Sequence, residues 1–281
     1  MVRLSTNNDI NGIISVWKEA FGDSENDIRF FLDEHFKPDN TVISECEGEV
    51  ASVLFLLEGD MHIAGKDYSS YYLYAACTLK KFRGRGMMSD MLDFSKNIAY
   101  ERNRHFIALK PAEESLYNYY SRFGYQSVFS KRKSFFKKTK TGTQTPEYDS
   151  DLIFSELRNN AYSQYDYFKW NKDSVDFAVK HHKYYGGEIF SNRNGYILCS
   201  FDDNVLYIKE NTFSREVLSD VIDYVLTDKE AEVICGEFPF EADYDCVSTE
   251  IIKSGMLLPV SEEADVIIKT LNNAYLSLTL D

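Results

Sequence analysis

Apolar positions take up a helical spacing within the first ten residues. Ile10, Ile13, Ile14, Trp17 and Phe21 share one face of a helix that Asn8 or Asp9 can cap. A short strand near Val2–Leu4 precedes it. A second amphipathic helix is predicted from Ser24 to His35, with Ile28, Phe31 and Leu32 inward. The period then changes. Thr41–Glu45 and Val50–Leu57 are β-rich runs split by a turn at Gly48, which predicts a hairpin, and Tyr71–Leu79 is another strand. Met88, Met91, Leu92 and Ile98 restore helical spacing over Met87–Tyr100. His105–Leu109 reads as a strand, Ala112–Phe123 as a helix and Tyr125–Phe136 as one or two strands. The predicted order is β-α-α-β-β-β-α-β-α-β.

Lys137–Ser150 is polar, holds Gly142 and Pro146, and has no apolar period, so it reads as a linker. This divides the chain into a first domain over 1–138, a linker over 139–150 and a second domain over 151–281. The second half repeats a weaker version of the same rhythm. A helix over Asp173–Tyr185 closes at Gly186-Gly187. Strands follow at Glu188–Phe190, Tyr196–Phe201 and Val205–Lys209, the first two joined through Asn194-Gly195, a strong hairpin signal. Ser214–Leu226 is a predicted helix, Val233–Phe238 a strand, Val247–Ser254 a helix ending at Gly255, and Val266–Lys269 a last strand. No repeat of residue identity joins the halves.

Composition narrows the class. The 281 residues suit two domains, and 44% hydrophobic with 27% charged residues is a globular balance. No run approaches the ~20 apolar residues of a membrane helix, and the opening residues have no signal-peptide core, so a cytoplasmic protein without membrane partners is expected. Five scattered cysteines without a C-x-x-C pair, and five histidines without H-E-x-x-H, predict no metal. The net charge of −14 is uneven: residues 1–140 carry 20 Lys+Arg against 19 Asp+Glu, and residues 141–281 carry 11 against 26. Nucleic acid is therefore not an expected partner, whereas a cationic small molecule or peptide suits the acidic half.

Chemistry concentrates in Cys77-Thr-Leu-Lys-Lys-Phe-Arg83-Gly-Arg-Gly86-Met-Met-Ser89, where a strand feeds a glycine turn that opens a helix. Unpaired N–H groups at a helix start bind phosphate. Gly84 and Gly86 let a diphosphate approach the main chain, while Lys80, Lys81, Arg83 and Arg85 add positive charge. A dinucleotide fold would need a third glycine where Ser89 stands, and a basic turn without a ligand is the plain alternative.

The R-x-x-G-x-G/A pattern of Arg83 and Gly86, after a fourth strand and before a helix, resembles the acyl-CoA loop of the GCN5-related N-acetyltransferase (GNAT) superfamily; Met88 departs from the small final residue. Tyr120-Ser-Arg-Phe-Gly124-Tyr125 is similar to that superfamily's Y-x-x-x-G-[FY] pattern, in which the tyrosine protonates the departing CoA thiolate. The resemblance implies acetyl-CoA as cosubstrate. Its pantetheine would lie along the main chain of Ala76, Cys77 and Thr78, with a main-chain amide near Ala76 polarising the thioester carbonyl. Its diphosphate would meet the N–H groups of Gly84, Arg85, Gly86, Met87, Met88 and Ser89. Cys77 could act as a covalent acetyl carrier or be a small residue lining the pantetheine path. Glu58, Asp60 and the terminal carboxylate of Asp281 are candidate bases.

Together the halves resemble the tandem, Eis-like GNAT group without its sterol-carrier-like domain. The implied fold is α/β (α+β): two tandem GNAT-like domains with mixed central sheets flanked by helices, the second degenerate and shaping the acceptor site. The implied activity is N-acetylation of a cationic amine, such as an aminoglycoside, polyamine or lysine. The alternatives are a non-catalytic CoA-binding sensor and an aminoacyl-tRNA-dependent ligase, for which only Lys131-Arg132-Lys133 and Lys137-Lys138 offer a basic track. Oligomeric state has no signal in the sequence.

Overall fold

A computed structural model of the chain describes residues 1–137, 152–226 and 231–280; the predicted linker over 139–150 lies outside them. The described residues form two compact units, one of Met1–Gly59, Tyr68–Ser127 and Met256–Thr270, the other of Asp60–Asp67, Val128–Gly255 and Leu271–Asp281.

The first unit follows the order predicted from the sequence. It runs β1 (Val2–Leu4), α1 (Ile10–Phe21), α2 (Glu25–His35), β2 (Thr41–Cys46), β3 (Glu49–Ile63), β4 (Lys66–Thr78), α3 (Met87–Glu101), β5 (Phe106–Leu109) and α4 (Glu114–Ser121), before β6 (Gln126–Phe136). Local signals account for the ends. Ser24 caps α2 by accepting from the Asp27 N–H, and Asp27 bonds back to the Ser24 N–H, a capping box. Gly22 ends α1 in the left-handed conformation, φ 83°.

The strands of this unit lie in the order β1-β2-β3-β4-β5-β12, where β12 is Ser248–Pro259. β4 and β5 are parallel, and Met256–Pro259 of β12 closes the far side antiparallel to β5. Alternation along β3 sends its side chains to two cores. Leu54 and Leu56 join Val42, Leu73, Met91, Leu92, Ile107 and Leu258 beneath α3 and α4. Phe55 points the other way, against Trp17 of α1 and Phe31 of α2, with ring centroids 5.5 and 5.2 Å away.

The second unit holds α5 (Phe154–Tyr162), β7 (Tyr167–Trp170), α6 (Lys172–Tyr184), β8 (Glu188–Asn192), β9 (Gly195–Asp202), β10 (Val205–Asn211), α7 (Arg215–Val225) and β11 (Val233–Pro239). Its sheet order is β6-β11-β10-β9-β8, with β10 and β11 parallel and the other neighbours antiparallel. Two expectations are corrected here. Val247–Ser254, predicted as a helix, is extended instead, and its residues from Ser248 onward belong to strand β12. Val266–Lys269, predicted as a strand, falls in α8 (Glu262–Ile267) and a following 3-10 turn, started by Ser261 accepting from the Ala264 N–H. Short apolar runs do not separate strand from helix by period, so tertiary pairing and the cap decided both. The mixed sheets flanked by helices are the expected α/β architecture.

Candidate active site

The site is built from the way β4 leaves its parallel neighbour. Rungs join Ser70, Tyr71 and Tyr72 of β4 to Phe106, Ile107 and Ala108 of β5. β4 then continues to Thr78 with no further rung to β5, so one edge of its last six residues is unpaired. Ala75 marks the departure, with φ at 49°, a conformation that L-residues adopt at a cost. An unpaired strand edge presents N–H and C=O groups at regular spacing to an extended ligand.

The chain then passes through a 3-10 turn at Lys80–Phe82 into α3. Gly84 and Gly86 have φ of 77° and 82°, and a Cβ on either would meet no atom within 4 Å. Glycine is needed there for backbone conformation, and the space over both is open. Gly86 is the N-cap of α3 and provides no side-chain cap. The first intrahelical bond runs from the Asp90 N–H to the Gly86 carbonyl at 3.1 Å. The amides ahead of it, at Met87, Met88 and Ser89, stand at the positive end of a 15-residue helix.

The loop's cations are not equivalent. Lys81 pairs with Glu49, whereas Lys80 is tied through its main-chain N–H, which donates to Glu19 Oε1 at 2.6 Å. Arg85 pairs with Glu47 at 3.0 Å and lies over the Phe82 ring. Arg83 has no ion pair with any described residue; its Nε donates to the Thr78 carbonyl at 3.0 Å. Only Arg83 of the four lines the cavity that opens here.

That cavity measures about 510 Å³. Of the residues singled out in the sequence, Ala76, Cys77, Thr78, Arg83, Gly84, Gly86, Met87, Met88, Ser89 and Tyr120 line it together, and Arg85 does not. Ala20, Phe21, Phe82, Leu116 and Tyr119 complete the wall. The sequence carried no signal for Ala20 and Phe21 beyond their place at the end of α1. Tyr120 projects from α4 and is buried, edge-on to Tyr125 at 5.6 Å. Burial, with a smaller push from Tyr119, raises its hydroxyl to about 12. Burial likewise raises the Cys77 thiol to about 12, against an opposing pull from Arg83.

No carboxylate lines the cavity among the described residues. Glu58 is engaged by Lys37 and Arg104 at 3.0 and 2.9 Å. Burial works against its ionisation, but the two cations outweigh it and hold the carboxyl below its ordinary value. Asp60 falls in the second unit, and Asp281 lies outside the described residues.

Residues 1–128 match the family model described as an acetyltransferase (GNAT) domain. No curated protein matches the chain in sequence. Among solved structures, a GCN5-related N-acetyltransferase from Kribbella flavida is 13% identical at a TM-score of 0.74, covering 94% of this chain and 73% of its own. One from Anabaena variabilis is 14% identical at 0.75, covering 93% and 73%. Eis1 from Mycobacterium abscessus is 13% identical at 0.71, covering 94% and 75%. At these identities the likeness is one of fold, and it extends past residues 1–128 through the second unit. The mixed α/β fold is thus consistent with the tandem GNAT-like domains implied by the resemblance of the two halves.

Proposed function

We propose that this chain is an acetyl-CoA-dependent N-acetyltransferase acting on a primary amine. The observation that supports this most directly is a single cavity where an unpaired strand edge, an uncapped helix start and a protonated phenol converge. The residues suit CoA in order along the groove. The free edge of Ala76–Thr78 suits the amide-bearing pantetheine arm. The N–H groups of Met87–Ser89, with Arg83 beside them, suit a diphosphate. The open space over Gly84 and Gly86 is where that group would sit.

The bound cosubstrate supplies an activated acyl group, and the chain's residues orient it. A main-chain N–H near Ala76, just past the left-handed Ala75, would polarise the thioester carbonyl. Tyr120, raised to about 12, stays protonated at neutral pH and holds a hydrogen bond on the departing sulfur. Cys77 stays a thiol for the same reason, which favours direct transfer to the amine over a covalent acetyl-cysteine. The acceptor must attack as a neutral amine. With no carboxylate among the described lining residues, its proton leaves to water or to Asp281. We assign the acceptor to cationic amines on the charge of residues 141–281.

A second reading, a CoA-binding sensor without turnover, draws on that same lack of a lining carboxylate. Release of free CoA thiol, followed across polyamines, aminoglycosides and lysine peptides, separates the two. Turnover with any of them is the expected result; CoA binding without turnover across the panel selects the sensor.

A further inference from the structure

The second unit repeats much of the construction of the first. Each has a helix pair, then three strands paired in chain order, then a helix leading into a strand parallel to the third. The departure of the parallel strands is repeated too. Rungs between β10 and β11 stop at Ile208 and Gly236, and β10 bulges between Ile208 and Glu210 before running on to Asn211. At the equivalent place, between the end of β10, the start of α7, the end of α5 and the segment after β11, lies a second cavity of about 500 Å³.

Its chemistry differs from that of the GNAT cleft. The main chain at the end of β10 is already engaged: Tyr162 donates to the Asn211 carbonyl at 2.8 Å, and the Asn211 side chain reaches the Tyr244 hydroxyl at 3.0 Å. No left-handed glycine opens the turn into α7. Glu216 takes hydrogen bonds from Ser214 and from its own N–H, which hold its carboxyl below its ordinary value and set a negative charge at the helix start. Arg215 is shared between Asp243 and Asp245. The Glu216 charge and the engagement of Arg215 by two carboxylates disfavour a phosphate at that helix start.

What remains available is uncharged, apart from one guanidinium. The side-chain amides of Asn160, Gln164 and Asn194, and the guanidinium of Arg193, line the cavity without a side-chain hydrogen bond or ion pair to any described residue. Phe213, Tyr165 and Tyr244 form its ring-bearing wall. Side-chain amides donate and accept at once, as hydroxyl groups do. Aromatic faces cover the C–H face of a saturated ring, and a few convergent polar groups on such a wall are the usual make-up of a small-molecule site. Arg193 disfavours a cation and Glu216 an anion.

We propose that the second unit carries a ligand site of its own, and that it takes an uncharged polyhydroxylated ring of glycoside type. Saturation-transfer NMR on the full chain, with methyl β-glucoside, methyl β-galactoside, N-acetylglucosamine and maltose as probes, tests it. Adenosine and cytidine form a separate arm. Transfer onto the ring C–H protons of at least one saccharide is expected. Apparent affinity should fall about tenfold in the double variant Gln164→Ala/Asn194→Ala, as two neutral hydrogen-bonding groups are lost. It should be unchanged in Gly86→Asn, which alters only the GNAT cleft. Both replaced residues are exposed, and an unshifted melting temperature verifies that the double variant is folded. The proposal is overturned if no saccharide receives transfer, if the double variant binds like the parent, or if only the nucleosides respond.

Discussion

Replacing Gly86 with alanine separates the backbone role of this residue from its place in the cosubstrate cleft. Gly86 sits at φ 82°, and a methyl group added there would find no atom within 4 Å, so no neighbour has to move. The folded state then loses only the cost of a left-handed L-residue, about 1–2 kcal/mol. For a protein of this size that lowers the melting temperature by about 2–8 °C. Bound CoA fares worse. A methyl group in the open space over the loop pushes the diphosphate off at least one main-chain donor, and a charge-assisted hydrogen bond contributes about 1.5–3 kcal/mol. Affinity for CoA should fall roughly 10- to 150-fold. Gly86→Asn sharpens the test, because asparagine tolerates this conformation and keeps stability near the parent while filling the same space. Calorimetric titration with CoA and acetyl-CoA reads the affinity, and thermal unfolding reads the stability. CoA at about 100 times its Kd should stabilise the parent by about 2.7 kcal/mol and the variants by much less. If both variants bind CoA within about twofold of the parent, the diphosphate does not lie over this loop and the cleft has been misassigned.

Four further outcomes follow from the geometry. Arg83→Ala should weaken CoA binding about tenfold or more, whereas Arg85→Ala, whose guanidinium is held by Glu47 outside the cavity lining, should change it less than about threefold in the same titration. Tyr120→Phe should lower kcat by about 10- to 10⁴-fold and leave CoA affinity nearly unchanged, as steady-state kinetics beside calorimetry would show. Cys77, raised to about 12, should be alkylated by iodoacetamide at about pH 7.5 roughly 10³-fold more slowly than an ordinary thiol, by mass spectrometry of the labelled peptide. Asp9 is held at about 2 by its hydrogen bonds from Arg3, which outweigh burial, and from Thr6. Its folded value is depressed, so its contribution is complete above about pH 4 and is lost as pH falls through about 2. Asp9→Asn should cost about 1–2 kcal/mol in denaturant titrations at about pH 7 and much less at about pH 2, a difference absent if the Arg3 pair is inert.

The resemblance drawn from Arg83, Gly86 and Tyr120 points to the same family as the model that matches residues 1–128, because the phosphate loop is a local device. Strand, glycine turn and helix start are contiguous, and each has its own residue preference. Two features of the same loop were not local. Glu47, on the turn between β2 and β3, and Glu49, the first residue of β3, hold Arg85 and Lys81, and no reading of the loop alone distinguishes these cations from Arg83. Ala20 and Phe21 reach the cavity only because α1 ends beside the loop, where Glu19 accepts from the Lys80 N–H.

From its own order of residues the chain determined the elements of the first unit, the left-handed glycines and the helix start that face the cavity. Those follow from period, capping and backbone freedom within a few residues of each other. Tertiary structure decided what depends on partners far along the chain. Met256–Pro259 became a strand because the edge of β5 was there to pair with it, 147 positions from Leu109 to Met256. The parting of β4 from β5 after Tyr72 was likewise settled by which main-chain groups found a neighbour. Side-chain alternation is the same for a paired strand and an unpaired edge, so hydrogen-bond partners across the sheet leave no mark on the local pattern.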